Sequence, residues 1–372
     1  MSDRSYPVSQ PSVTSLEVEY VTDAVSSGWI SSLGPYVTRF EESFAAFCGV
    51  EEAVSVANGT VALHLALHAY GIGAGDEVIV PDLSFVATAN AVLMTGAKPV
   101  FCDVEAETLC IDPSLIEDLI TPRTRAVMPV HLYGHPADMP TINRIAHQHG
   151  LKVIEDAAEA HGAEINGSRV GGLGDCAAFS FYGNKNLTTG EGGMITTNDR
   201  AFAQRCRKLR DHAMSPTRRY WHDELGYNYR ITNLQAALGC AQLDRADELL
   251  QGRVKLFEMY QGFLAGAPEI RLNRTANRAR NSYWMICAEV DGLTEQSRAG
   301  LMAELKRRRI DTRPYFYPMS CMPYLEAAAT PVSHAVAEIG LNLPTYIGLE
   351  ESDVRYIAEQ LQQCVAELRL VA

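Results

Sequence analysis

The chain has 372 residues, of which 47% are hydrophobic and 21% charged, a composition typical of folded proteins and not of disordered or coiled-coil ones. Its 32 lysines and arginines against 45 acidic residues leave a net charge of −13, which argues against a nucleic-acid partner because phosphate backbones are bound by surplus positive charge. The sequence has no apolar run of about 18 residues, so we expect no membrane span.

The cysteines indicate a reducing environment. Nine cysteines are scattered along the chain without a Cys-x-x-Cys pair, which argues against a disulfide framework or a zinc site. The first 13 residues have no apolar core of the signal-peptide type. We therefore expect a cytoplasmic protein without a metal.

Two helices are predicted first, over residues 14–27 and 36–48. Thr14 and Glu17 have the spacing of a capping box, and Val18, Val21 and Val25 recur on one helical face.

Short apolar runs then alternate with helical patterns. The helical patterns include 60–69 and 139–149. The predicted strands are 52–56, 77–80, 98–102, 125–130, 152–155, 177–181 and 193–197. Such alternation predicts an α/β fold with a mostly parallel sheet covered by helices on both faces.

The second half of the chain predicts a smaller α/β unit. A long helix is expected at about 232–265, and later elements are a strand at 282–290 and helices at 296–308 and 352–369. We expect a large domain over residues 1–240 and a small C-terminal domain over 241–372.

Common ligand motifs are not supported. Gly71, Gly73 and Gly75 precede a strand, whereas the dinucleotide fingerprint follows a strand and opens a helix. His131 and His135 are four residues apart but flank a predicted turn, which argues against a metal site there.

Three strand ends carry candidate chemistry. Asp156 ends an apolar strand, where α/β sheets bind ligands, although taken alone it is better explained as a helix cap. Lys185 lies in a turn between two apolar strands, where it could be a solvated lysine or could form a Schiff base. Residues 57–60 join a strand to a helix and could be a plain turn or a phosphate cradle. Together the three match what pyridoxal 5′-phosphate (PLP) requires: phosphate donors, an acid for the ring nitrogen and a lysine for the aldehyde.

Longer motifs resemble the DegT/StrS-type sugar aminotransferases, a family with the aspartate-aminotransferase fold (fold type I). The resemblance covers essentially the whole chain. It includes residues 28–32, 58–64, 75–81, 131–134, 155–162, 179–193, 226–230 and 342–344. It implies a large domain with a seven-stranded, mostly parallel sheet and a smaller C-terminal α/β domain.

The resemblance also implies residue roles. Lys185 would bind the cofactor aldehyde and move protons, Asp156 would pair with the ring nitrogen, and Phe85 would stack on the ring. The phosphate would be held by Gly59, Thr60 and Ser180, with Asn228 reaching in from a second subunit of an obligate homodimer.

Position 159 departs from the pattern of the family. It is glutamate here, where many relatives have glutamine. The family places this side chain near the ring hydroxyl, where a carboxylate would repel a phenolate unless one of them is protonated.

Two stretches, 218–223 and 313–319, are similar to one subgroup, the GDP-perosamine synthases. The implied substrate contacts are Trp29, Ser31, Arg219, Tyr220, Arg313 and Tyr317. Arg218 and Arg219 could be a diphosphate clamp or a solvated loop.

The implied reaction moves the amino group of L-glutamate to a nucleotide-linked 4-keto-6-deoxy sugar, GDP-4-keto-6-deoxymannose. One alternative is that the substrate is another keto sugar or a cyclitol. A second is a sugar 3-dehydratase, which Lys185 disfavours because those relatives carry histidine at this position. A third is a PLP-binding regulator without catalytic activity.

Overall fold

The structure, a computed structural model, describes residues 4–369. Its helices are α1 Ser15–Ser26, α2 Pro35–Cys48, α3 Gly59–Ala69, α4 Ala87–Met94, α5 Met139–His149, α6 Arg200–Arg210, α7 Asn233–Asp244, α8 Ala246–Leu264, α9 Glu295–Arg307, α10 Pro331–Ile339 and α11 Glu351–Arg369. Its strands are β1 Glu52–Val56, β2 Glu77–Pro81, β3 Lys98–Cys102, β4 Thr124–Val127, β5 Lys152–Asp156, β6 Glu164–Ile165, β7 Ser168–Arg169, β8 Cys176–Ser180, β9 Gly193–Thr197, β10 Ile270–Leu272, β11 Ala279–Arg280, β12 Ile286–Val290, β13 Arg313–Pro314 and β14 Gly340–Leu343.

The main sheet has seven strands in the order β1-β9-β8-β5-β4-β2-β3. Strand β9 pairs antiparallel with both of its neighbours, and the other pairings are parallel. The predicted α/β fold with a mostly parallel seven-stranded sheet is confirmed. Because parallel strands share a direction, the carboxyl ends of six strands meet at one edge.

Helices cover both faces of this sheet. Along β2, Val78 and Val80 pack into a core with residues of α3 and α6, whereas Ile79 packs into a second core with α5. This alternation follows from the two-residue period of a strand. A third core, from α2 and α7, covers β8.

The C-terminal part contains a four-stranded antiparallel sheet in the order β10-β12-β14-β13. Its core includes residues of α8, α9 and α11 and also the N-terminal Tyr6. Tyr6 bridges Ile310 and donates a hydrogen bond to Asp353, so the first described residues pack with the C-terminal part.

The predicted long helix at 232–265 is interrupted. Helices α7 and α8 meet at Arg245, which adopts φ −105° and ψ 10°. The Arg245 guanidinium donates to the carboxylates of Glu17 and Glu248, and neither glycine nor proline marks the break in the sequence. Tertiary contacts therefore decide this boundary.

Three helices lay outside the predicted elements: α4, α6 and α10. Within residues 4–369, no helix combines the length and the apolar character that crossing a membrane would require.

Candidate active site

A cavity of about 660 Å³ lies at the edge where the parallel strands end. Its wall includes residues that follow β1, β2, β5 and β8, and residues of the C-terminal part close the other side. The predicted residues that it brings together are Gly59, Thr60, Phe85, Asp156, Glu159, Ser180, Lys185 and Arg313.

The first turn of α3 forms one end of the cavity. Asn58 caps the helix by accepting a hydrogen bond from the Val61 N–H at 3.0 Å. The amides of Gly59 and Thr60 begin the helix, where backbone N–H groups have no intrahelical acceptor and suit an anion.

Ser180 explains why residue 59 is glycine. A Cβ atom at Gly59 would lie 2.8 Å from the Ser180 Cβ, inside van der Waals contact. Similarly, a Cβ at Gly193 would overlap the Asn58 carbonyl oxygen. The two loops therefore approach closely enough to place amides and the Ser180 hydroxyl around one small anion, which fits the phosphate of PLP.

Asp156 ends β5 and lies almost fully buried in the cavity wall. Its carboxylate accepts hydrogen bonds from the Thr88 hydroxyl at 2.7 Å and from the Ala158 N–H at 3.2 Å. Burial raises the pKa of Asp156, and the hydrogen bond from Thr88 opposes that rise. A buried carboxylate that faces a cavity fits a cationic partner such as a protonated ring nitrogen.

Lys185 is carried by the loop between β8 and β9. The loop is fixed at its base by the bridge between Tyr182 and Gly190 and by the Lys185 N–H, which donates to the Tyr182 carbonyl at 2.9 Å. Strand β8 anchors the loop because all five of its residues are buried. The buried strand β8 and the contacts within the loop therefore fix the position of this lysine.

The Lys185 ammonium has two close neighbours. Its Nζ lies 3.6 Å from Oε1 of Glu159 and 3.7 Å from the ring centre of Trp284, a cation–π contact. Burial lowers the pKa of Lys185, while the charges of Glu159 and Asp156 raise it. A lysine with a lowered pKa suits nucleophilic and proton-transfer chemistry.

Phe85 presents an aromatic face to the cavity. Its side chain is 55% exposed, and its ring centre lies 5.8 Å from that of Phe316. A large apolar ring left this exposed at a cavity wall is suited to covering a planar ligand.

Six predicted site residues do not line the cavity of a single chain. They are Trp29, Ser31, Arg219, Tyr220, Asn228 and Tyr317. The carbonyls of Trp29 and Ser31 accept hydrogen bonds from Asn233, and the Tyr317 hydroxyl donates to Glu295. Asn228 accepts from Arg230, and Arg219 covers the exposed ring of Tyr220.

Thr88, Trp284 and Phe316 line or support the site without having been predicted from the sequence. Trp284 is one of three tryptophans in the chain, and its Nε1 donates to the Asn184 carbonyl at 2.9 Å beside Lys185. The rarity of tryptophan was the one feature of the sequence that could have indicated Trp284. No feature of the sequence indicated Thr88, because its role depends on the contact between α4 and β5.

Similarity to known proteins agrees with this geometry. The sequence profile of the DegT/DnrJ/EryC1/StrS aminotransferase family matches residues 11–362. The GDP-perosamine synthase of Caulobacter vibrioides is 46% identical over 360 residues, covering 96% of this chain and 97% of that protein. The GDP-perosamine synthase of Vibrio cholerae is 42% identical and covers 94% and 96%.

Among solved structures, the putative sugar aminotransferase Spr1654 of Streptococcus pneumoniae in its PLP-form superimposes with a TM-score of 0.93. The two chains are 26% identical, and the match covers 98% of this chain and all of the other.

Proposed function

This chain belongs to the DegT/DnrJ/EryC1/StrS aminotransferase family, and from that membership we propose that it moves the amino group of L-glutamate to C4 of GDP-4-keto-6-deoxymannose, making GDP-perosamine. The enzyme is a transaminase and its cofactor is PLP. The observation that carries the proposal is the buried Lys185 amine, which shares one cavity with Asp156 and the first turn of α3. The choice of sugar is supported by the two GDP-perosamine synthases that match nearly the full chain.

Different residues of the chain bind different parts of the cofactor. The amides of Gly59 and Thr60 and the Ser180 hydroxyl bind the phosphate, and the Asp156 carboxylate pairs with the ring nitrogen. Phe85 covers one face of the ring. When bound, PLP supplies an electron sink that stabilises negative charge on the carbon that loses a proton.

Lys185 moves the protons. Its Nζ takes the proton from the α carbon of L-glutamate and later delivers one to C4 of the sugar. Trp284 and Phe316 line the cavity in which this exchange takes place.

Arg313 is the proposed contact for an anionic group of a substrate. It lies at the cavity wall on β13, and it makes no ion pair with any residue from 4 to 369. An unpaired guanidinium in the same cavity as the Lys185 amine suits a carboxylate or a phosphate.

We also propose a homodimer with shared sites, in which Asn228, Trp29, Ser31, Arg219, Tyr220 and Tyr317 complete the cavity of the neighbouring chain or its entrance. An exposed apolar surface supports this assembly. Its residues, here called the N-terminal apolar surface, are Val18, Val25, Trp29, Ile30 and Leu33, each more than half exposed.

We propose a cytoplasmic location and a division into domains at 1–240 and 241–372. The location is supported by the nine cysteines, all free thiols and all but Cys321 buried.

The test of the function is a substrate panel. Purified holoenzyme is incubated with L-glutamate and, separately, with GDP-, dTDP- and UDP-linked keto sugars, and products are scored by mass. We expect an aminated product from GDP-4-keto-6-deoxymannose and its loss in the absence of L-glutamate. Amination of only a dTDP- or UDP-linked sugar would overturn the choice of substrate, and no amination at all would favour a non-catalytic role.

A further inference from the structure

A second buried carboxylate stands beside the reacting lysine. Glu159 is 4% exposed, and one of its oxygens, Oε1, lies 3.6 Å from the Lys185 Nζ. The other oxygen, Oε2, accepts a hydrogen bond from the Tyr133 N–H at 2.9 Å. One oxygen is thus fixed by the backbone, and the other is free to interact with the amine.

Asp156, the other carboxylate of the site, is held by partners other than Lys185. Each of its two oxygens already accepts a hydrogen bond, one from the Thr88 hydroxyl and one from the Ala158 N–H. Lys185 forms an ion pair with Glu159 and with no other carboxylate among the described residues. The nearest acceptor for a proton that leaves Nζ is therefore Oε1 of Glu159.

The other titratable groups around Glu159 are neutral. Burial raises the pKa of Cys110 to about 12 and places the pKa values of Cys287 and Tyr133 well above their ordinary range. These groups border Glu159 from the turn at 132–134, the loop after β3, and β12.

Two histidines lie nearby. The Nδ1 atom of His131 accepts a hydrogen bond from the Ala137 N–H, and its Nε2 lies 3.0 Å from Oε2 of Glu155, so both ring nitrogens have partners other than Glu159. Burial among Phe44, Phe179 and Phe181 lowers the pKa of His161 to about 3. The charged groups that face Glu159 are therefore Lys185 and Asp156.

We propose that Glu159 is the proton partner of Lys185: whenever the amine is free, a proton passes between Nζ and Oε1, one N–H bond breaking as one O–H bond forms. An ammonium group must lose a proton before it can act as a base or a nucleophile, and Glu159 accepts it without involving water. The inference rests on the proposed function, since it assigns the proton acceptor within the same site.

The energetics of the two groups agree with this exchange. Burial raises the pKa of Glu159 to about 7, against the opposing charge of Lys185 and the Tyr133 N–H, and burial also lowers the pKa of Lys185. The two values approach each other, so the transfer is closer to balance than it would be in water.

The test uses the cofactor-free protein and the variant Glu159→Gln. Lys185 is labelled with acetic anhydride over a pH series, and its peptide is quantified by mass spectrometry. We expect the pH of half-maximal labelling of Lys185 to fall by about one unit or more, because the variant removes the negative neighbour that favours the ammonium. Glu191→Gln, which neutralises an exposed carboxylate of the same cavity, is the matched control and should leave the midpoint unchanged.

A second measurement detects the proton on Glu159 directly. The infrared spectrum of the wild-type protein should contain a protonated-carboxyl band that titrates near pH 7, and this band should be absent in Glu159→Gln. If Glu159→Gln folds poorly, Glu159→Asp, whose side chain is one methylene shorter, takes its place. This variant should retain a protonated-carboxyl band and should have a Lys185 labelling midpoint close to that of the wild type or below it.

An unchanged or raised Lys185 midpoint in the folded glutamine variant would overturn the inference. That result would leave the proposed function standing if the wild-type enzyme still aminates the GDP-linked sugar. Conversely, if the Lys185 midpoint falls in Glu159→Gln but the wild-type protein aminates no sugar, the proton pair stands and the proposed function fails.

Discussion

At the scale of single residues, Lys185 and Gly59 show how close contacts set the properties of the site. Lys185 lies close to both Trp284 and Glu159, and burial there lowers its pKa. Gly59 has no side chain to keep Ser180 away from the first turn of α3. Removing the Lys185 amine or adding a Cβ at Gly59 would therefore alter the site.

Replacing Lys185 by alanine should lower the transamination rate by about 10³-fold or more, because the amine that moves the proton is lost. The rate is measured with L-glutamate and the GDP-linked keto sugar, and circular dichroism checks the fold. Lys255→Ala, which removes an exposed lysine of α8, serves as the control. Turnover close to that of the wild type would refute the role of Lys185.

Asp156→Asn should slow both half-reactions strongly, because a neutral amide no longer stabilises a protonated ring nitrogen. Stopped-flow absorbance with L-glutamate, and then with the keto sugar, measures each half separately. Equal rates in variant and wild type would exclude the pairing with the ring nitrogen.

Gly59→Ala should weaken PLP binding about tenfold or more, because the new Cβ would overlap Ser180 and force the cradle apart. Binding to the cofactor-free protein is followed by absorbance or fluorescence. Gly262→Ala is the matched control, since a Cβ there would meet no atom within 4 Å. An unaltered dissociation constant in Gly59→Ala would show that the cradle lies elsewhere.

Among the elements, α1 has a buried carboxylate that ties it to the rest of the molecule. Glu17 accepts hydrogen bonds from Thr14 within the helix cap, from Gln242 and from Arg245. The predicted capping box is confirmed, but its glutamate also reaches α7 and the junction with α8. The valines predicted to share a face are not its anchor, since Val18 and Val25 are exposed.

Glu17→Gln should destabilise the protein by about 3 kcal/mol at pH 7, because it leaves Arg245 without its buried partner. Burial alone would raise the pKa of Glu17, but the bonds from Thr14 and Arg245 lower it to about 2 from an ordinary value of 4.5. A lowered pKa means that the stabilisation is complete above pH 4.5 and is lost as the pH falls towards 2.

Chemical denaturation of wild type and variant between pH 7 and pH 3 measures this difference, which should shrink below pH 4.5. Glu19→Gln, on the exposed side of the same helix, should have little effect. A difference that is independent of pH would mean that the carboxylate charge is not what holds α1.

For the whole molecule, the single chain places the Lys185 amine and the first turn of α3 in one cavity but leaves an apolar surface exposed. The N-terminal apolar surface faces solvent, and Asn228 lies outside the cavity of its own chain. A two-fold dimer would bury that surface and bring residues of each chain to the site of the other.

A mixing experiment tests the shared site. Lys185→Ala and Asn228→Ala are each expected to be nearly inactive alone, but a hybrid dimer has one site with both residues intact. After the chains are mixed and reassociated, activity should return to about a quarter of the wild-type value, because half of the dimers carry one intact site of two. Light scattering checks that the mixture is dimeric. No recovery in a mixed dimer would contradict the crossing of Asn228.

The sequence by itself predicted the α/β fold, and it predicted that Asp156, Lys185 and Gly59, which the structure places in one cavity, act together. The apolar runs set the strands, and these three residues lie at or soon after the carboxyl ends of strands that meet at the same edge. Local patterns carry this information, since strand period and turn chemistry are short-range.

Only the tertiary structure decided which distant groups meet. It set Glu159 beside the Lys185 amine, Trp284 over it and Thr88 on Asp156, and it broke the helix at Arg245. These contacts join residues far apart in the chain, and burial then shifts their pKa values. A local sequence pattern does not specify the distance between two strand ends. The pKa values of the site residues are therefore set only when the sheet is assembled.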